Sequence, residues 1–389
     1  MPLSPNDDLA ALFGNGLSIA FNHDLAIPAL TTEIKRRFKT IDPAREAPDR
    51  VLARLATRAH ETGDPHQDFE ALIGPLDQQS ENLTDLRELA EIVGQESRAV
   101  ANAIRTVGDF VKSLQRQGKG DALDLIQERS YAGGLQPTWI IEDFIRAVTA
   151  TAAGQVAIGN LNYDSLAMAG LCRTAPTGGF CDMAWGYGPS LFDVVPGTYT
   201  ISGSALRTDA STFPARRTRL LHLHGSLTWL RRPGTNEIYR FGIEDLRTID
   251  YWRAWRDGLT EWAPEVVLTN QSAKSQVVAK HPFLLAYQTF FQSLYKADRW
   301  LIAGYSFRDE CVNDLLSQAW GYRAANPPEI LVVTHGKQLT MDQVVDAIGC
   351  APGLVPTGRH LYICRCGIAD APKCARWSSW ERFGMHSVA

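Results

Sequence analysis

His222 and His224 stand two positions apart in Leu221-His222-Leu223-His224-Gly225. Alternation along a strand sends both imidazoles to one face and both leucines to the other. A histidine at the mouth of a strand, followed by a glycine that lets the chain turn, suits general base work near neutral pH. His224 holds that position, and His222 fits a hydrogen-bonded structural role. A second polar group lies in Asn160-Leu161-Asn162-Tyr163-Asp164-Ser165. There Asn162 and Asp164 could both aim polar atoms into a cleft above a sheet. The same residues also have a plainer use: Asp164 or Ser165 suits a helix N-cap, and Asn162 can satisfy the turn.

Two glycine turns complete the set. Leu9-Ala10-Ala11-Leu12-Phe13 runs into Gly14-Asn15-Gly16-Leu17-Ser18, and Leu301-Ile302-Ala303 runs into Gly304-Tyr305-Ser306-Phe307-Arg308-Asp309. Glycine lets a backbone approach a phosphate or ribose closely, and amides at a helix start can donate to an anion. Asp309 is also placed to cap the helix expected from Cys311 to Trp320, and a capped helix still presents amides.

The elements that would position these residues are legible as apolar runs. Val156–Asn160, Leu220–His224, Val266–Leu268, Trp300–Gly304, Ile330–Val333 and His360–Ile363 read as strands. Several are apolar throughout and end in Gly, Asn or a polar turn, the pattern of strands buried on both faces of a parallel sheet. The fold class expected is therefore α/β, a Rossmann-like, doubly wound, mostly parallel sheet. Its ligands bind beyond the carboxyl ends of the strands, where each polar motif falls.

Residues 31–150 have a different character. Leu83, Leu86 and Leu89, then Val100, Ile104, Val107, Val111 and Leu114, recur at helical spacing, and Asp121–Arg129 is helix-compatible. Pro43, Pro48, Pro65 and Pro75 divide the block, and Gly133-Gly134 precedes a helix from about Thr138. The organisation read from this is an α/β core of residues 1–30 and 151–389 with a large helical insertion, 31–150, packed on it. Ala175–Asp209 reads as loop or a small β insertion. Tyr251, Trp252, Trp255 and Trp262 read as packing or interface rather than a base-stacking platform.

Taken together, Gly14-Asn15-Gly16-Leu17-Ser18, Ala26-Ile27-Pro28, Asn162-Tyr163-Asp164, His224-Gly225 and Gly304-Tyr305-Ser306-Phe307-Arg308-Asp309 resemble the ordered motifs of the sirtuin-like (silent information regulator) superfamily. The resemblance is greatest to its bacterial effector branch, and it extends over residues 9–335. It implies that NAD+ is bound and its nicotinamide glycosidic bond cleaved, with NAD+ as substrate. Asn162 and His224 would be the catalytic pair, and Asp164 would contact the nicotinamide carboxamide. Gly14, Gly16 and Ser18 would line the phosphates, and Gly304 and Ser306 the adenosine side. Asn15, Asn22, Pro28, Gly225 and Asp309 would complete the NAD+ site. Asn15 stands where the family commonly has alanine. Deacylating relatives carry two C-x-x-C pairs after His-Gly, and this chain has none, which points to simple hydrolysis. The resemblance further implies a regulated anti-phage effector that assembles with itself. It would also answer to a separate sensor, such as a HerA-type ATPase, an Argonaute-like protein or a nucleotide-sensing subunit.

The bulk numbers set the outer bounds. With 389 residues, 45% hydrophobic and 21% charged, the chain has an ordinary globular composition. A net charge of -4 exerts no overall pull toward nucleic acid or anionic membrane. No apolar stretch reaches membrane-spanning length and no leader pattern opens the chain, so a cytoplasmic protein is expected. Seven cysteines at irregular spacing read as reduced thiols. The group Cys364, Cys366 and Cys374, with Cys350 upstream, lacks the paired hooks of structural zinc, and no metal is expected.

Overall fold

The apolar runs become the strands of one parallel sheet in the computed structural model, which describes residues 7–40, 68–92, 98–131, 138–176, 178–184, 190–269, 271–349 and 360–383. Pro43, Pro48, Pro65, Gly133, Gly134 and Cys350 lie outside the described residues. The strands are β1 (Leu9–Phe13), β2 (Val156–Asn160), β3 (Phe180–Cys181), β4 (Ser190–Phe192), β5 (Ile201–Ala205), β6 (Thr218–His222), β7 (Gly225–Arg231), β8 (Ile238–Phe241), β9 (Ala263–Val266), β10 (Arg299–Ala303), β11 (Glu329–Val333) and β12 (Leu361–Cys364). The main sheet is parallel throughout, in the order β12-β11-β10-β1-β2-β6-β3. Every residue of β1, β2 and β10 is buried, because helices cover both faces. From β1 the chain builds outward through β2 to β6, then returns to β10 on the other side of β1. That reversal is a topological switch point, the place where open α/β sheets bind ligands.

Register fixes the height of the motif loops. Phe13 pairs with both Asn160 and Ala303, and Asn160 pairs with His222. The loops beginning at Gly14, Leu161, Leu223 and Gly304 therefore leave four neighbouring strands at one level.

The helices are α1 (Gly16–Phe21), α2 (Ile27–Thr40), α3 (Phe69–Ile92), α4 (Arg98–Ser130), α5 (Trp139–Ala150), α6 (Leu166–Thr174), α7 (Ile243–Thr248), α8 (Tyr251–Arg256), α9 (Gln271–Val278), α10 (Phe283–Lys296), α11 (Glu310–Tyr322), α12 (Met341–Ile348) and α13 (Ala375–Phe383). The crossover helix α5 lies on the sheet through Phe144, whose ring centroid is 5.7 Å from Phe13 and 5.9 Å from Trp377. Phe69, Leu72, Leu123 and Ile126 of α3 and α4 belong to the same buried cluster as β1 and β2. Farther along these helices Leu86, Leu89, Ile92, Val100 and Val107 are each at least half exposed. Their spacing makes a helix but not a core. None of the described helices is long and apolar enough to cross a membrane.

Three local expectations change. Pro75 sits inside α3 instead of dividing it. The roughly 3 kcal/mol a helical proline costs is offset by the burial of Phe69, Leu72, Ile73 and Leu76 around it. The Leu220–His224 strand stops at His222, and Leu223 and His224 form a turn. The cause is Gly225, at φ +82, where an added Cβ would lie 2.3 Å from the Glu265 carbonyl oxygen. Strand alternation therefore does not set the direction of His224. The same turn carries β7 into a second, antiparallel sheet, ordered β4-β5-β8-β7-β9. Val266 consequently ends β9 of that sheet, outside the parallel one, and Val267 and Leu268 follow it. The Ala175–Asp209 stretch supplies β3, β4 and β5. Of the aromatic run, Trp252 donates its indole N–H to Gln127 of α4 at 2.5 Å, and Trp262 packs on Phe192 and Phe241.

Candidate active site

The two glycine loops meet each other. A Cβ at Gly14 would stand 2.6 Å from the Gly304 oxygen, and one at Gly16 would stand 2.5 Å from the Gly304 Cα. Gly304 itself holds φ +66, which favours glycine. The Gly16 N–H donates to Gly304 O at 2.9 Å and the Leu17 N–H to Gly14 O at 3.0 Å. These glycines therefore bring backbone against backbone, and the leading amides of α1 already have partners. The Asn15 side chain donates to Leu25 O at 3.2 Å.

Ser18, the buried hydroxyl of this loop, donates to Asp164 Oδ2 at 2.5 Å, while Asp164 Oδ1 accepts the Leu166 N–H at 3.0 Å. One carboxylate thus holds the first amide of α6, ahead of its N-cap Ser165, and ties that helix to α1. Burial raises the Asp164 carboxyl above its ordinary range, although both hydrogen bonds pull the other way. Asn162 donates to Gly14 O at 3.1 Å, and its own carbonyl accepts from Asn160 Nδ2 at 3.1 Å. The same Asn160 amide lies 3.2 Å from His222 Nδ1. His222 is pushed down to about 4 by burial, with the Arg240 charge adding to the effect, and it packs edge-on against Trp229.

His224 belongs to a different set of partners. Its Nε2 lies 3.3 Å from Asp309 Oδ2 and 3.3 Å from the Tyr287 hydroxyl. Asp309 accepts from Lys274 Nζ at 2.8 Å through Oδ2 and from the Val312 N–H at 3.1 Å through Oδ1, so it also caps α11. Lys274 is 3.6 Å from Glu70 of α3, and Glu70 accepts the Tyr163 hydroxyl at 2.5 Å. Burial pushes the Asp309 carboxyl up, but the hydrogen bond and charge of His224, together with Lys274, overcome it and hold the group well below the carboxylate range. Burial likewise lowers Lys274, yet Glu70 and Asp309 outweigh it and leave the ammonium above its ordinary value. A histidine oriented by a carboxylate is the arrangement of a general base.

The loop residues converge, while other expected residues fall elsewhere. Asn22 accepts from the Asp24 N–H and donates to Arg129 O of α4, and Pro28 is exposed at the start of α2. Gly225 makes the turn after His224, and Ser306 is exposed. Lys274, Glu70 and Tyr287 escaped the sequence reading. Only their distant partners give them meaning, and nothing local marks them.

Asn162, Asp164, His224 and Ser18 are all at most 6% exposed. A cavity of about 670 Å³ instead opens at the amino ends of the strands, lined by Leu9, Val156, Arg217, Arg219 and Lys296. It lies at the far end of the sheet from the converging polar groups, so its volume does not mark the chemistry.

Residues 160–346 match the SIR2-like domain family. The match supports a sirtuin-like assignment for this part of the chain. No curated protein matches it. Members of the SIR2-like family are NAD-dependent enzymes, and SIR2-like domains bind NAD+. The matched SIR2-like span takes in Asn162, Asp164, Lys274, His224, Gly304 and Asp309, while Gly14–Ser18 and Glu70 precede it. The fit to NAD+ rests on the four loops raised at one level around the switch point and on the buried Ser18–Asp164 pair beneath them.

Proposed function

We propose that this protein is an NAD+ hydrolase that cleaves the nicotinamide glycosidic bond to give nicotinamide and ADP-ribose. The observation that carries the reading is the alignment of the Gly14, Asn162, His224 and Gly304 loops at the carboxyl ends of adjacent strands. The nicotinamide of NAD+ leaves as a neutral base, so the barrier lies in an oxocarbenium-like ribose. Asn162 orients the ribose or the attacking water, and Asp164 holds the carboxamide. His224, oriented by Asp309, accepts a proton from a ribose hydroxyl or from the water that adds to the anomeric carbon. Help of this kind is worth roughly a hundred- to ten-thousand-fold. The lack of C-x-x-C pairs supports hydrolysis over protein deacylation.

The buried state of the site supports control. Glu70 at the start of α3 reaches Lys274, which pairs with Asp309, and movement of this helix start would open the His224–Asp309 pair to substrate. This fits an effector of bacterial anti-phage defence kept off until triggered, acting as a homo-oligomer with a separate sensor protein. The exposed apolar side chains of α3 and α4 support self-assembly.

A second reading, an NAD+-binding regulatory subunit without turnover, is favoured by that same closure. One experiment separates the two. The purified full chain and its Asn162→Ala and His224→Ala variants are incubated with NAD+, and nicotinamide and ADP-ribose are followed by chromatography. Both products from wild type and neither from the variants is the expected result. NAD+ binding without turnover, with or without Glu70→Gln, would favour the regulatory reading, and absence of binding would overturn both.

A further inference from the structure

Three cysteines with no pattern in the sequence come together in the fold. The Sγ atoms of Cys364, Cys366 and Cys374 all lie within 4.8 Å of one another. They come from the end of β12, the loop after it and the residue before α13. The backbone is shaped to hold them. Cys366 pairs antiparallel with His335, and Gly367 turns the chain at φ +77. Cys364 Sγ accepts the Cys366 N–H, and Cys374 Sγ accepts the Arg376 and Trp377 N–H groups at the start of α13. All three thiols are free of disulfides.

We propose that Cys364, Cys366 and Cys374 bind a structural zinc ion. Tetrahedral zinc with bonds of about 2.3 Å to sulfur sets neighbouring sulfurs roughly 3.8 Å apart, within the spread observed here. Three thiolates select a soft ion such as zinc over magnesium or calcium. The gain is mechanical. β12 is the edge of the parallel sheet, and α13 buries Trp377 and Trp380 beneath it, with Trp380 donating to Glu329 O at 3.0 Å. A metal joining the strand end to the helix start fixes both. The cluster lies beyond the matched SIR2-like span, so it does not depend on the hydrolase reading.

The test is the zinc content of the tag-free, full-length protein, measured by mass spectrometry of the metal and by release with a mercurial. About one zinc per chain is expected, falling well below that in Cys366→Ser and in Cys374→Ser. Cys172→Ser, an exposed cysteine on α6, should keep it. Should the cluster variants fail to fold, cobalt alone added to chelator-treated wild type gives a second readout, thiolate-to-cobalt charge-transfer bands in the near ultraviolet. Wild type that purifies without zinc and shows no such bands with cobalt would overturn the proposal, as would a disulfide within the cluster.

Discussion

The carboxyl end of the parallel sheet and the outer part of the α3–α4 helices break the same rule in opposite directions. At the sheet, His224, Asp309 and Lys274 are buried together; along the helices, Leu86, Leu89, Ile92, Val100 and Val107 are exposed. Burying charge is costly unless every charge is paired, and exposed apolar rows invite a partner. Glu70, in the first turn of α3, joins the two regions by reaching Lys274. The difference teaches that one helix, α3, carries a charged contact to the buried cluster at its start and an exposed apolar row farther along.

The largest expected contrast is in turnover. His224→Ala should reduce NAD+ cleavage by at least about a hundred-fold, while Leu89→Gln on the exposed row should leave the intrinsic rate of the dispersed protein within about two-fold. Rates measured at a dilution where sedimentation shows one species make the comparison. A His224→Ala protein that folds and keeps its full rate would remove the base from the proposal.

Stability offers the next contrast. Lys274→Met leaves the buried Asp309 and the half-buried Glu70 without their cation, which should cost about 3–5 kcal/mol in urea unfolding. An exposed pair such as Arg105–Glu91, between α4 and α3, should contribute no more than about 1 kcal/mol. If both substitutions cost the same, the buried cluster is not the anchor that its geometry indicates.

His222 gives a pH-dependent measure of the same burial. The unfolded imidazole takes up a proton near its ordinary value of about 6.5, whereas the folded one waits until about 4. Between these values the unfolded state holds more protons, so stability falls as pH drops. The loss is at most about 3 kcal/mol. His222→Asn should flatten that part of the curve, and the difference between the two proteins isolates the histidine from the buried carboxylates that titrate nearby. Parallel curves would mean that His222 protonates alike in both states.

Much of this was readable from local pattern. The runs Leu9–Phe13, Val156–Gly159 and Ile330–Val333 are apolar throughout, and burial on both faces leaves them little alternative to central strands. The turn at His224 was not readable, because it depends on the positive φ of Gly225 and on a close approach to Glu265, 40 residues away. Lys274 and Glu70 were hidden for a related reason. A lysine in α9 and a glutamate in α3 look like solvent-facing charges until the fold sets them 3.6 Å apart. Asp309 caps its helix as the sequence suggests, whereas Asp164 holds the amide of Leu166 from the position before the cap while also accepting from Ser18.

The smallest contrast uses two glycines in helices. At Gly16 an added Cβ would lie 2.5 Å from the Gly304 backbone, with no flexible side chain to yield. Gly16→Ala must therefore push the β1 and β10 loops apart, at a cost of about 1–3 kcal/mol. At Gly108, inside α4, the nearest atom is the Leu83 Cβ at 3.9 Å, an ordinary contact. Alanine there reduces the freedom of the unfolded chain and adds nothing that collides, so Gly108→Ala should gain about 0.5–1 kcal/mol. Paired urea melts read both signs. A loss at Gly108 would mean that the outer helices pack more tightly than their exposed leucines imply. A neutral Gly16→Ala would mean that the two glycine loops can separate freely, and contact between them would no longer account for those glycines.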